Sequence, residues 1–462
     1  MFVALLVATG AIALIGTICA LDGSHDIFHP LVLIGPMMAF LYTWMPWKLY
    51  LSGGLSRFFE GSQLLFIASL NLLGVAAFVG CCLAVGVRSV RRQNIKSRLS
   101  PTTARRLLFS GSIVGSLGLL CWAITIVNVG GFVNAYSASY AGGWDDSGYI
   151  RDGSILLLLG VMTALLSRSA GGPHIPAYCM LVIFGVPWLA SAFLMARRGP
   201  TFELATFVFM SWYVNRKKRP SVVALGLGGV CLGWLVLFLV TNRSSIYIGS
   251  NFDVKTDVSN IVEAPDTGNE WIYGGGTVLS SERLGHYFWM RRYLAQILVR
   301  PIPSSIWTNK YEDFGVPELL HNAGTGEGFG DALGWKGADG SAPGIVADLW
   351  VEVWWFAVPF MGVLGWFYGW VWKKSVTQGG YWITQAIILN AISIYLVMQT
   401  MEAVIFRSLL LSIPSWVLWH YAETRATKHL NRRRDNLAVV HFLRLRKVHN
   451  THDFEVSHAN ES

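Results

Sequence analysis

Residues 63–87 read QLLFIASLNLLGVAAFVGCCLAVGV, a run without one charged side chain. A helix rises 1.5 Å per residue and the hydrocarbon core of a bilayer is about 30 Å thick, so roughly 20 such residues suffice to cross it. Arginines follow at once (Arg88, Arg91, Arg92), as expected where a span leaves the membrane. Comparable runs recur at 2–21, 28–46, 107–130, 153–169, 175–195, 201–214, 221–240, 344–371, 381–400 and 404–420. The spacing therefore predicts an all-α polytopic membrane protein with about 11 spans. Composition agrees: 53% of residues are hydrophobic and 14% charged, and the mean hydropathy is +0.46, which excludes a water-soluble chain of this length.

No basic residue precedes the first run, and its small-x-small stretch Thr17-Ile18-Cys19 is still inside the apolar segment, so the run is expected to persist as an anchor. All six cysteines (Cys19, Cys81, Cys82, Cys121, Cys179, Cys231) fall inside predicted spans, and no disulfides are expected.

Lysine and arginine collect in four places: Arg88 to Arg106, Arg216 to Arg219, Lys373 with Lys374, and Arg425 to Lys447. With the spans above, all four fall on one face, which predicts an external N-terminus and a cytoplasmic C-terminus. The net charge of +9 is then a topology signal with affinity for anionic membrane lipids, and nucleic-acid binding is not expected. The chain divides into spans over 1–240, a long external loop over 241–343, further spans over 344–420, and a basic cytoplasmic tail over 421–462. Within the loop, Tyr287 to Leu298 and Ile302 to Trp307 are expected to lie as short amphipathic helices along the interface.

Candidate chemistry gathers on the external face. Arg197 and Arg198 break the charge rule by lying at an external span end, where they form a partly desolvated cationic spot, the alternative being ordinary snorkelling to headgroups. His286, Arg291, Arg292, Arg300 and Lys310 share one external segment, and with the Arg197 pair they suggest a site for a polyanion. A glycine-rich run, His321 to Asp331, adds His321, Glu327 and Asp331 as acid–base candidates, though it lacks the Gly-Lys-Ser/Thr ending of a phosphate loop. Asp348 and Glu352, four apart on one helix face, and Glu203, Glu402 and Arg407 are ionisable groups in or at the ends of spans, the last two being close enough to pair with each other. No Asp-x-Asp, His-Glu-x-x-His, Cys-x-x-Cys or Gly-x-Ser-x-Gly occurs, which favours a mechanism without metal or cofactor in which arginines stabilise charge.

Three segments carry a resemblance. Asp26-Ile27-Phe28-His29-Pro30-Leu31-Val32-Leu33, the turn Arg197-Arg198-Gly199-Pro200-Thr201 leading to basic Arg216 to Arg219, and Arg300-Pro301-Ile302-Pro303 to Lys310 resemble bacterial oligosaccharide repeat-unit polymerases of the Wzy type. The long loop followed by Gly344 to Trp372 is similar to that family's layout, and His321-Asn322 is similar to the loop histidine of the related O-antigen ligases. The resemblance implies a GT-C-like glycosyltransferase of the inner membrane that joins undecaprenyl-diphosphate-linked oligosaccharides into O-antigen or exopolysaccharide, working beside a flippase and a chain-length regulator. It implies that Arg197, Arg198, Arg300 and Lys310 bind the diphosphate. His321, Glu327, Asp331, Asp348 and Glu352 stay open as the base. A ligase with a different acceptor, a lipid-oligosaccharide flippase and a non-catalytic scaffold are the rival readings.

Overall fold

The computed structural model describes residues 1–86, 100–137, 148–216, 220–242, 245–250, 270–315 and 342–423, and among these the regular structure is helical throughout. Eight helices are long and apolar enough to cross a membrane, so the chain is a multi-pass integral membrane protein. The helices that organise it are α1 (Phe2–Ser24), α2 (Pro30–Ala39), α3 (Met45–Leu51), α4 (Gly61–Gly86), α5 (Pro101–Asn128), α6 (Leu156–Ser169), α7 (His174–Leu194), α8 (Arg198–Tyr213), α9 (Val222–Thr241), α10 (Glu270–Leu284), α11 (Gly344–Val353), α12 (Ala357–Thr377), α13 (Tyr381–Ala391), α14 (Ser393–Met398) and α15 (Met401–Glu423).

Three of the expected spans are not among the eight, each for a local reason. The run at 28–46 stays helical but changes type, with Pro36 inside α2, a π-helical turn at Phe40–Trp44, and Pro46 in the first turn of α3. It still travels the whole length of α1 in reverse: Thr17 Oγ1 donates to the Leu31 carbonyl (2.9 Å), Thr43 Oγ1 to the Leu6 carbonyl (3.0 Å), and the Phe2 and Tyr50 rings meet at 5.2 Å. The run at 201–214 is the 16-residue α8, and the run at 221–240 is α9, whose described apolar stretch, Val223–Leu239, is short.

Two helical groups make up the bundle. In one, α1, α4 and α12 pack side by side, and in the other α5, α6 and α7 do so, with α8 touching α6, α7 and α13. The seam between α4 and α12 is set by small residues, because a Cβ at Gly365 would stand 2.1 Å from the Phe78 carbonyl oxygen and one at Gly369 2.7 Å from that of Cys82. Without a hydrophobic drive between helices in lipid, such close approach supplies the attraction by dispersion.

Two of the candidate spans of the second half, Gly344–Thr377 and Tyr381–Met398, are interrupted. α11, buried along all of its length, ends where Trp354 adopts φ 54°, and α12 starts after a short 3₁₀ turn. α13 and α14 break at Ile392. The stretch 241–343 also departs from expectation: α10, read in the sequence as part of a polar loop, is buried for most of its length against α4 and α11. Gly274 and Gly275, which lower its hydropathy, are the points where Pro343 and Phe59 come closest. Ile302 to Trp307 forms turns, not a helix, and Tyr287 to Leu298 packs Phe288, Tyr293 and Ala295 inward.

The two ends of the bundle differ in chemistry. One, here the loop end, carries α10 and residues 286–315. The other, the basic end, brings together Asp26 with Trp372 (3.2 Å), Lys373 with the Val85 carbonyl (3.3 Å), and Asn215 with Ser169 (3.1 Å). All six cysteines are free.

Candidate functional site

Charged side chains from six separate segments converge at the loop end. The deepest are those around Arg292, which is 5% exposed. It is delivered by a backbone device: the carbonyls of Val351 and Glu352, left open where α11 stops, accept from the amides of Phe288 (3.0 Å) and Trp289 (2.7 Å). Trp289 and Met290 then take φ 52° and 69°, which turns the chain so that Arg292 points back at α11. Its guanidinium donates to Asp348 Oδ1 (2.5 Å) and, through Nε, to Glu352 Oε1. The four-residue spacing of the two carboxylates puts both within reach of one fork.

Asp348 accepts three hydrogen bonds, since its Oδ2 also accepts from Tyr293 Oη (2.6 Å) and from the amide of Met401 (2.8 Å), which opens α15. Burial first, and then the adjacent Asp348 carboxylate, hold the Tyr293 hydroxyl well above the usual phenol range, so it remains a donor. Glu352 Oε2 has no hydrogen-bond partner among the described residues. Asp348 and Glu352 are both fully buried.

Around this core runs a more accessible belt. Arg198, in the first turn of α8, pairs with Glu270, the first residue of α10. Arg197 precedes it in extended conformation and lies in the electrostatic reach of Tyr395. Arg407 pairs with Glu203 (3.4 Å) and stacks on the Tyr395 ring at 3.8 Å. The expected pairing of Arg407 with Glu402 is therefore corrected: Tyr395 and Glu203, remote in sequence, hold the guanidinium instead. Arg300 bonds Asp152 (2.5 Å) and Gln296 (3.0 Å) and lies 3.6 Å over the Phe406 ring. Glu402, half-buried, stands within the fields of both Arg292 and Arg300.

Lys310 is different again. It is 1% exposed, and its ammonium donates to Tyr149 Oη (2.6 Å) and to the carbonyls of Arg300 (3.3 Å) and Ile302. All three donor protons are thereby used, and the lysine ties the short helix Gly148–Gly153 to the 300–302 turn. His286 and Arg291 are exposed and form no ion pair among the described residues.

Of the residues singled out in the sequence, Arg197, Arg198, Arg300 and Arg407 thus come together at one accessible face. Arg292, Asp348 and Glu352 form a closed internal cluster beneath it, and Lys310 is a clamp. His321, Glu327 and Asp331 lie outside the described residues. Asp152, Glu270, Tyr149, Tyr293 and Tyr395 were not foreseen. Asp152 and Glu270 carried one faint signal, an acidic residue standing close before an apolar run. Among the described residues no group of three or more His, Cys, Asp or Glu side chains is placed to hold a metal ion.

The belt can do two things chemically. Its arginines present several fixed donors to an anion, and Glu402 offers a carboxylate within the fields of Arg300 in the belt and Arg292 in the core. Comparison with protein-family models, characterised proteins and solved structures gives no match to this chain.

Proposed function

We propose that this protein is a bacterial inner-membrane glycosyltransferase that polymerises undecaprenyl-diphosphate-linked oligosaccharide repeat units on the outer face of the membrane. The observation that carries this reading is the convergence of Arg197, Arg198, Arg300 and Arg407 at one end of the bundle, from segments up to 210 residues apart in the chain. The eight long helices together with 30–51, α8 and α9 give eleven crossings, with the loop end outside, the N-terminus external and the C-terminus cytoplasmic.

In the reaction, a sugar hydroxyl of one lipid-linked chain attacks the anomeric carbon of another. The bond from that carbon to the diphosphate oxygen breaks, the lipid diphosphate leaves with the electron pair, and the hydroxyl proton passes to a base. The leaving group carries its charge to the belt, where Arg300 exchanges part of its contact with Asp152 for a phosphate oxygen, and Arg198 and Arg407 add open donors while their buried partners Glu270 and Glu203 stay in place. Asp348 and Glu352 are fully buried beneath Arg292, where a sugar hydroxyl has no access, so among the described residues the base role falls to the half-buried Glu402.

The test is reconstitution in liposomes with undecaprenyl-diphosphate repeat units, with products sized by electrophoresis. Arg300→Ala and Arg407→Ala should slow elongation on the order of 10²-fold or more, and Glu402→Gln on the order of 10²-fold. Elongation at the wild-type rate in all three variants sinks the assignment.

A further inference from the structure

At the basic end, far from the belt, the groove between the C-terminal turns of α4 and α12 has a volume of about 670 Å³ and is lined by Ala84, Val85, Trp366, Trp370, Lys373, Lys374, Thr377 and Gln378. Its long wall is one stripe of α12. Positions 363, 366, 370, 374 and 377 repeat every three or four residues and so lie above one another on a single helix face. Along the stripe the character changes from apolar to cationic. Val363 and Trp366 are exposed (58% and 49%), with nothing among the described residues covering them, Trp370 is stacked on Trp366 at 6.0 Å, and the two lysines follow about one turn later.

The lysine ends are held at fixed positions over this wall. Lys374 Nζ lies 5.8 Å from the Trp370 ring centre and 5.9 Å from that of Trp382, while Lys373 Nζ donates to the Val85 carbonyl at the end of α4. Each ammonium keeps further protons to donate. Trp370 and Trp382 meet edge to face at 4.9 Å and brace the site.

We infer that this groove is a binding site for one anionic phospholipid, with the headgroup phosphate on Lys373 and Lys374 and an acyl chain along Trp370, Trp366 and Val363. A free phosphate or a soluble partner accounts for the lysines alone, whereas the exposed apolar stripe, which runs from the lysines toward the middle of α12, faces the hydrocarbon of the bilayer, where an acyl chain lies. A zwitterionic lipid fills the stripe and gains little from the charges. The combination of two cations at the mouth and aromatic surface leading into the hydrocarbon selects an anionic lipid. The site is independent of the proposed glycosyl transfer.

The experiment is native mass spectrometry of the full chain in detergent, titrated with dioleoyl-phosphatidylglycerol or dioleoyl-phosphatidylcholine. The expected result is a phosphatidylglycerol adduct formed with an affinity on the order of 10-fold above that for phosphatidylcholine. Lys373→Gln/Lys374→Gln should abolish this preference, and Lys373→Arg/Lys374→Arg should keep it. Because Lys373 also braces α4, Lys374→Gln alone serves as the variant least able to disturb the fold, and it should lower the preference by a few-fold. Equal adducts for the two lipids, a preference unchanged in both Gln variants, or displacement of the lipid by millimolar inorganic phosphate each overturns the proposal.

Discussion

Replacement of Arg292 by leucine isolates the internal cluster from everything accessible around it. In the native protein one guanidinium serves two carboxylates that are both fully buried, so its removal leaves Asp348 and Glu352 without a counter-charge in a medium that cannot solvate them. Asp348 keeps Tyr293 and the Met401 amide, whereas the hydrogen bond from Arg292 to Glu352 Oε1 is lost outright. Breaking a buried pair costs about 3–5 kcal/mol, a large part of the roughly 5–15 kcal/mol that holds a typical domain folded. Arg292→Leu should therefore unfold at markedly lower temperature in detergent, read by intrinsic fluorescence and by loss of the monodisperse peak on size exclusion. Arg292→Lys should recover little, because a point charge cannot bridge two carboxylates as a planar fork does. The triple change Arg292→Leu, Asp348→Asn, Glu352→Gln removes the stranded charges and should restore most of the loss. An Arg292→Leu variant as stable as wild type, or a triple variant no more stable than the single, refutes the view of this cluster as a structural tie.

The seam of α4 and α12 gives a second test: Gly365→Val forces a side chain into the Phe78 backbone and should cost about 1–3 kcal/mol or more, whereas Gly80→Ala, where a Cβ meets nothing within 4 Å, should leave the unfolding temperature unchanged. Tyr149→Phe removes the hydroxyl that accepts from Lys310 and should lower stability by about 1–3 kcal/mol in a denaturant titration. In a background without the native cysteines, His286→Cys and Ser304→Cys, both at exposed positions of the loop end, should be labelled by a membrane-impermeant reagent from outside the cell; labelling of either only after permeabilisation contradicts the proposed topology.

The bundle was largely legible because span detection needs only composition over a window of helical length, and runs such as 63–87 satisfy it without any tertiary help. Where reading failed, the cause was a residue whose property depends on its neighbours. Gly274-Gly275-Gly276 reads as a loop by hydropathy, yet in α10 these glycines admit Pro343 and Phe59 to the helix surface. Proline at 36 and 46 left the run at 28–46 apolar while taking amide donors out of its hydrogen-bond ladder. Ion pairing failed in the same way. Spacing rules see partners three or four residues apart, so the joint action of Asp348 and Glu352 was readable, while the partner of Arg300 is 148 residues away and that of Arg407 is on another helix.

Charge alone also grouped Arg292 with Arg198 and Arg300, and burial separates them. For an arginine to receive a phosphate it must release a carboxylate, and the released carboxylate must find water. The Arg300–Asp152 pair is open on both sides, with side chains 28% and 17% exposed, whereas Arg198 and Arg407, 19% and 28% exposed, face carboxylates of Glu270 and Glu203 that are only 4% and 1% exposed. The partners of Arg292 are at 0%, so any anion that displaced them would strand two buried charges at a cost no single phosphate contact offsets. Arg300 is accordingly the arginine able to exchange its partner in the proposed reaction, Arg198 and Arg407 can offer only the donors their buried partners leave open, and Arg292 holds the frame around them.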